Sequence, residues 1–269
     1  SRPRRTRSSS SPVAITVTRT NGAAGTFTVD FDTSDGTALD GIDYNRNTGT
    51  LIFAPGEVSQ TFNVMILPDT LDEADETVNV KLLNPSDGAV LGIPNTAVLT
   101  ILDDDPAPTL TLSLTGSPLA ENGGVAMVTA ALSAASGQDV TVTLGFTGTA
   151  TNGSDYTPSA GSIVIAAGAT TGSITLTGLD DALDEAAETV IVDITSVTNG
   201  SESGTQQVTV SITDDDPAPT LSINDQALLE GNAGTTDFVF TVSLSVASGQ
   251  DVSVQFATSD GTARAPGDY

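Results

Sequence analysis

The chain has 269 residues, and its 34 acidic against 8 basic side chains leave a formal net charge of −26. A surface this acidic repels nucleic acid and anionic lipid, which removes both as expected partners, and attracts cations instead. With no Cys and no His there are no disulfides, none of the usual zinc, copper or haem ligands, and neither thiol nor imidazole for a nucleophilic site, so any metal must be held by oxygen.

The chain opens on SRPRRTRSSSS, which is basic, then serine-rich, with no apolar stretch behind it. It reads as a disordered tail over residues 1–12 and not as a secretory signal. Beyond it the only basic residues are Arg19, Arg46, Lys81 and Arg264. No window holds the roughly 18 apolar residues of a membrane-spanning helix.

From Val13 onward the chain repeats itself. DDDPAPTL stands at Asp103–Leu110 and again at Asp214–Leu221, an offset of 111. LDEADETV at Leu71–Val78 returns as LDEAAETV at Leu183–Val190, and SGQDV stands at both Ser136–Val140 and Ser248–Val252. TSDGTA occurs at Thr33–Ala38 and Thr258–Ala263, and an Asp-Tyr pair marks each copy at Asp43-Tyr44, Asp155-Tyr156 and Asp268-Tyr269. A period near 111 fits one independent domain per copy. The reading is a first copy over 13–105 that lacks its opening segment, a complete second over 107–216, and a third over 219–269 that stops before its second half. The Asp-Pro-Ala-Pro link between copies favours extended, stiff backbone.

Within the complete copy, Val140, Val142, Leu144 and Phe146 alternate with Thr141, Thr143 and Thr147, and Val208, Val210 and Ile212 alternate with Thr209, Ser211 and Thr213. This period of two, rich in Val, Ile and Thr, predicts half-buried strands. Seven such runs lie at 109–115, 125–132, 139–147, 161–166, 171–178, 188–196 and 206–213, most of them separated by Gly, Asn or Asp. The predicted fold is all-β: tandem immunoglobulin-like antiparallel β-sandwiches of about seven strands each. Asp181–Glu188 is predicted to be a loop feeding a strand.

The acids of this copy cluster at Glu121, at Asp155, in the 180–188 loop and at Asp214–Asp216. Loops from alternate strand ends of a sandwich converge at one pole, where these segments could meet. Two carboxylates ~4 Å apart repel by ~4 kcal/mol at an effective dielectric of ~20, so a crowded pole calls for a cation. Calcium takes six to eight oxygens in irregular geometry, which suits such a pole better than magnesium does. The plainer reading is solvated loop charge, as most charge runs are. An internal comparison shifts the balance toward a metal and leaves the plainer reading open. Glu57 in the turn FAPGE becomes Ala169 in IAAGA, and Asp75 becomes Ala187, whereas the acids at 43/155, 69/181, 73/185 and 76/188 and all three terminal Asp recur.

The motifs SDGTA…DY, GTLIFAPGE, LDEADET and the closing DDD resemble those of Calx-β domains, a family described in sodium–calcium exchangers and in an integrin beta chain; the likeness runs from about Val13 to Tyr269. In its calcium-binding members an early Glu, the Asp of the Asp-Tyr pair, an acidic loop and a terminal Asp run share several ions. The resemblance implies Ca2+ ligands at Glu121, Asp155, Asp180, Asp181, Glu185, Glu188, Asp214, Asp215 and Asp216 in the middle copy. In the first copy it implies Asp43, Asp69, Glu73, Glu76, Asp103, Asp104 and Asp105. That copy has Ser8–Ser11 about where the early Glu should be and Pro68 in place of Asp180, so its site should hold fewer ions. The third copy offers only Glu230 and Asp268. Tyr44, Tyr156 and Tyr269 are expected in the core or at a corner.

The expected function is a calcium-binding, non-catalytic module of a large extracellular or cell-surface protein, with calcium stiffening loops and joints for adhesion or structural display. The alternative is a calcium-sensing regulatory domain of a membrane protein. Calcium ions are the expected partner, with other proteins or neighbouring repeats beside them. An enzyme built on a carboxylate pair is the weakest reading, because no Trp and three Tyr leave few aromatic platforms for a carbohydrate.

Overall fold

The computed structural model describes the backbone of residues 4–6 and, in full, residues 12–86 and 88–269. It is all-β, and among the described residues no helix is long and apolar enough to cross a membrane. The first copy comprises β1 (Arg4–Thr6), β2 (Val13–Thr18), β3 (Phe27–Asp35), β4 (Tyr44–Asn45), β5 (Thr48–Phe53), β6 (Ser59–Ile66), β7 (Glu76–Leu83) and β8 (Thr96–Leu102). A five-stranded sheet ordered β1-β8-β7-β3-β5 packs against a three-stranded sheet ordered β2-β6-β4. Three residues of the expected tail thus lie in a sheet, with Arg4–Thr6 running parallel to Thr100–Leu102.

The second copy contains β9 (Thr109–Thr115), β10 (Leu119–Ala120), β11 (Val125–Leu132), β12 (Val140–Gly148), β13 (Tyr156–Pro158), β14 (Ser162–Ile165), β15 (Thr171–Gly178), β16 (Glu188–Thr198), β17 (Ser201–Glu202) and β18 (Gln207–Thr213). They form two five-stranded sheets, β10-β18-β16-β12-β14 and β13-β15-β11-β9-β17. The seven predicted runs match β9, β11, β12, β14, β15, β16 and β18 to within a residue or two. The additional strands β10, β13 and β17 have only two or three residues each, too few to show a period. Asp181–Glu188 runs without helix from β15 into β16.

Alternation along each strand builds the core. Val140, Val142 and Leu144 turn inward from one sheet to meet Ile174 and Leu176 from the other, with Val190, Val192, Val210 and Ile212 closing the centre. In the first copy Phe31 of β3 stacks on Phe62 of β6 with ring centroids 3.8 Å apart, which ties its two sheets together. Tyr44 and Tyr156 are buried in the two cores, whereas Tyr269 is half exposed. In the third copy only β19 (Leu221–Ile223) and β20 (Val242–Leu244) pair. The sequence holds no third counterpart of β16 or β18, and Leu229, Phe240 and Phe256 stay exposed.

The pleat makes a direct prediction on β14, where Ile163 is 1% exposed and its neighbour Val164 is 56% exposed. Ile163→Ala should cost the second sandwich about 2–5 kcal/mol in denaturant unfolding, whereas Val164→Ala should change it by no more than about 0.5 kcal/mol.

Candidate metal centre

Backbone pairing, rather than the acids themselves, gathers the carboxylates. Leu119–Ala120 runs parallel to Ile212–Thr213, and the Glu121 N–H continues this by donating to the Thr213 carbonyl at 3.2 Å. Glu121 is thereby set beside Asp214, one residue past each strand end. From the opposite sheet, the Leu179 N–H donates to the Asp155 carbonyl at 3.0 Å, which places the Asp-Tyr corner against the start of the 180–188 loop. The corner is a tight turn in which the Asp155 N–H donates to the Thr151 carbonyl and the Asp155 carboxylate accepts from the Thr151 N–H. Asp181 caps its own loop by accepting from the Leu183 N–H at 2.7 Å, and Asp214 accepts from the Glu185 N–H at 3.2 Å.

Three groups result, two of them sharing Glu121, each with ligand oxygens within 4.8 Å of one another: Glu121, Asp214 and Asp216; Glu121, Asp180 and Asp215; and Asp155, Glu185 and Glu188. Eight of the nine middle-copy positions singled out from the sequence therefore come together in groups. The ninth, Asp181, lines the same cavity as Glu121, Asp155, Glu185, Glu188 and Asp214. That cavity has a volume of about 10 Å³, room for one water molecule or a bare ion.

The electrostatics run against an unneutralised cluster. Glu121 is 7% exposed; burial, then Asp214, Asp216, Asp215 and Asp181, push its carboxyl up to about 7. Glu188 is likewise raised to about 7, first by burial and then by its hydrogen bond to Asp155. Burial and neighbouring carboxylates also raise Glu185 and Asp216. Glu121 Oε1 and Asp216 Oδ2 are buried and accept no hydrogen bond. Such orphaned oxygens are rare in folded proteins and are what a hard cation satisfies. The donor set, all carboxylate oxygens with irregular spacing, fits calcium.

The first copy repeats part of this arrangement. Asp43, Asp69 and Glu73 form one group, with Asp43 held as Asp155 is: its carboxylate accepts from the Leu39 N–H at 2.8 Å and its carbonyl from the Leu67 N–H at 2.9 Å. Glu76, Asp103, Asp104 and Asp105 lie outside that group, although Asp105 Oδ2 is buried without a hydrogen bond, as is its counterpart in Asp216. The expected replacement of the early Glu by Ser8–Ser11 falls outside the described residues. The strand register matches Thr6 with Ala120, and the next residue in the sequence is Arg7 where the middle copy has Glu121. In the third copy Asp268 accepts from the Arg264 N–H, while Glu230 lies in a loop whose partner segments the sequence does not contain. Sequence reasoning passed over Asn122, whose side-chain amide donates to Asp215; only its place beside Glu121 could have signalled it.

Comparison with known proteins places these features in a family. The Calx-beta domain matches at residues 5–105, 104–216 and 214–269. Sodium/calcium exchanger 1 of Rattus norvegicus is 39% identical over 131 residues, 42% of this chain and 14% of the exchanger. The sodium/calcium exchanger Calx of Drosophila melanogaster is 42% identical over 79 residues, 29% of this chain and 8% of that protein. The chain thus spans only a small part of the relatives it matches. Among solved structures, the apo form of the Calx CBD1 domain is 33% identical, covering 39% of this chain and 91% of that one, with a TM-score of 0.37. The calcium binding domain CBD12 of CALX1.1 is 26% identical, covering 73% and 78%, with a TM-score of 0.39. The expected placement outside the cell or on its surface is overturned by these relatives, which are sodium/calcium exchangers, and they give the adhesion or display reading no support.

The raised carboxyls predict how the metal-free protein responds to pH. In the folded state Glu121 and Glu188 keep their protons to about 7, whereas unfolded they release them near 4.5. Folding therefore binds protons between these values, and stability is lost as pH rises through that window. In chelator, the melting temperature of the second sandwich should fall from pH 4.5 to pH 7.5, and Glu121→Gln should flatten the fall. A melting temperature that instead rises across this window in the parent chain would contradict the assignment.

Proposed function

We propose that this chain, which belongs to the Calx-beta domain family, is a non-catalytic calcium-binding module that senses calcium and regulates a larger membrane protein of the sodium/calcium exchanger kind. The observation that carries the calcium reading is the buried Glu121 carboxylate, shared between two carboxylate groups with one oxygen lacking any hydrogen bond. A cation at this point satisfies that oxygen, relieves the repulsion among its neighbours and releases the protons that Glu121 and Glu188 otherwise keep. The ligands would be Glu121, Asp155, Asp180, Asp181, Glu185, Glu188, Asp214, Asp215 and Asp216, with Asp43, Asp69 and Glu73 as a smaller set in the first copy.

The regulatory role is supported by the sodium/calcium exchanger relatives and by the mechanical position of the ligands. They come from four separate segments joined to both sheets of the sandwich, so a bound cation ties together loops whose carboxylates otherwise repel one another. Binding then changes the order of one pole of the domain, which an attached domain can read. Against an enzyme stands the size of the space between the carboxylates, about 10 Å³, far below the roughly 300–1,000 Å³ of an organic-ligand pocket.

Thermal melting of the 269-residue chain in calcium, magnesium and chelator tests this reading. Calcium should raise the melting temperature of the second sandwich more than magnesium does, with a stabilisation of roughly 2.7 kcal/mol at 100 times Kd. Glu121→Gln and Glu188→Gln should remove most of the shift. Glu57→Gln, in a turn away from the pole, should leave it in place. Indifference of the parent chain to millimolar calcium would overturn the proposal.

A further inference from the structure

Given the calcium reading of the middle pole, on which this rests, we propose that Asn122 is a positioning residue. Its side-chain amide turns Asp215 toward Glu121 and Asp180 and so completes the outer of two cation positions. Glu121 belongs to two groups of ligand oxygens, one with Asp214 and Asp216 and one with Asp180 and Asp215. The groups differ in burial: Asp214 and Asp216 are half-buried, whereas Asp180 and Asp215 are exposed. Glu121 itself is 7% exposed and its Oε1 accepts no hydrogen bond, so the corner that the two groups share calls for a ligand.

An exposed carboxylate between two half-buried ones is free to turn to water unless something holds it. Asp215 is held by Asn122, 93 residues earlier, whose side-chain amide donates to Asp215 Oδ2. A carboxylate only accepts, so the asparagine must present its NH2 group here, and Asp215 can still offer Oδ1 to a cation. Asn122 is in turn fixed by the backbone on either side. The Glu121 N–H donates to the Thr213 carbonyl, the Gly124 N–H to the Ala120 carbonyl at 2.9 Å, and the Gly178 N–H, at the end of β15, to the Gly124 carbonyl at 2.9 Å. A Cβ on Gly124 would come within 2.4 Å of the Ala120 nitrogen, so glycine lets this turn close. A short side chain on a turn tied to two strands delivers its amide to one place.

The amide belongs to the middle copy alone. Glu230 of the third copy is followed by Gly231, and Arg7-Ser8 stands in the first copy where the middle one has Glu121-Asn122. The first copy also has Pro68 in place of Asp180, and among its described residues the single group is Asp43, Asp69 and Glu73. The asparagine therefore occurs together with the outer group. Asn122 and Asp215 are both exposed, so their bond adds little to stability in water. Its effect lies in orientation, and losing a partner that orients a ligating carboxylate typically weakens metal binding about 10–100-fold.

Calorimetric titration of the 269-residue chain with calcium, beside thermal melting in chelator, tests this role. Asn122→Ala should weaken one binding step about 10–100-fold, leave the other steps in place and melt in chelator close to the parent. Asn122→Asp keeps the size of the side chain but gives up the donor. It should bind calcium no more tightly than Asn122→Ala, whereas a residue that offered its own oxygen to the cation would keep or gain affinity by this change. In an Asp215→Ala background, Asn122→Ala should weaken binding no further, because the amide has nothing left to hold. An Asn122→Ala chain that titrates as the parent does, an equal loss in every step, an Asn122→Asp chain with the parent's affinity, or a further loss in the Asp215→Ala background would each overturn the positioning role and leave the calcium reading standing. A parent chain that takes up no calcium would overturn both.

Discussion

Like charge, gathered by the backbone, is the constraint that organises the middle copy. The Glu121 and Leu179 amides donate to the carbonyls of Thr213 and Asp155, and these peptide bonds bring four acidic segments to one end of the sandwich whatever their side chains prefer. Each close carboxylate pair opposes folding by up to about 4 kcal/mol when both are ionised, against a total stability of about 5–15 kcal/mol for an ordinary domain. Several ionised pairs cannot be held in this way. The cluster has two escapes, keeping protons on Glu121 and Glu188 or admitting a cation, and the two are linked because both occupy the same oxygens. The core beneath, from Val140 through Ile212, supplies the stability that makes the strained pole tolerable.

The two sandwiches with closed cores carry this design to different degrees. In the first, Asp43, Asp69 and Glu73 gather through the same corner and the same loop, but Pro68 takes the place of Asp180 and Arg7 follows the strand that should deliver the early Glu. A smaller negative charge needs less neutralisation, so the two poles should differ in how strongly they depend on a cation. The difference arises from a few substitutions on an unchanged backbone frame.

Within the acidic loop itself, neighbouring residues face different ways. Asp69 and Glu73 turn toward Asp43, while Asp72 turns outward to Ser136 of the next copy. One loop is therefore shared between a pole and a joint. Order at the pole and orientation at the joint are properties of the same few residues, which gives a module of this kind a physical route by which neighbouring copies can influence each other.

The amino-acid sequence by itself determined the repeat, the all-β sandwich and the acids that recur, because each is a local or periodic signal. Runs such as Thr109–Thr115 and Thr171–Gly178 are legible since side chains alternate between core and solvent over seven or eight residues. The two-residue strands Leu119–Ala120 and Tyr44–Asn45 are not, because their positions are set by long-range pairing partners and not by their own pattern. Only the tertiary structure decided that Glu121 joins Asp214, Asp216, Asp180 and Asp215 across more than fifty residues of sequence, that one of its oxygens is left without a donor, and that Asp72 serves the following copy. A string of acids looks uniform in sequence; which of them face inward depends on hydrogen bonds between segments, and those exist only once the two sheets have closed.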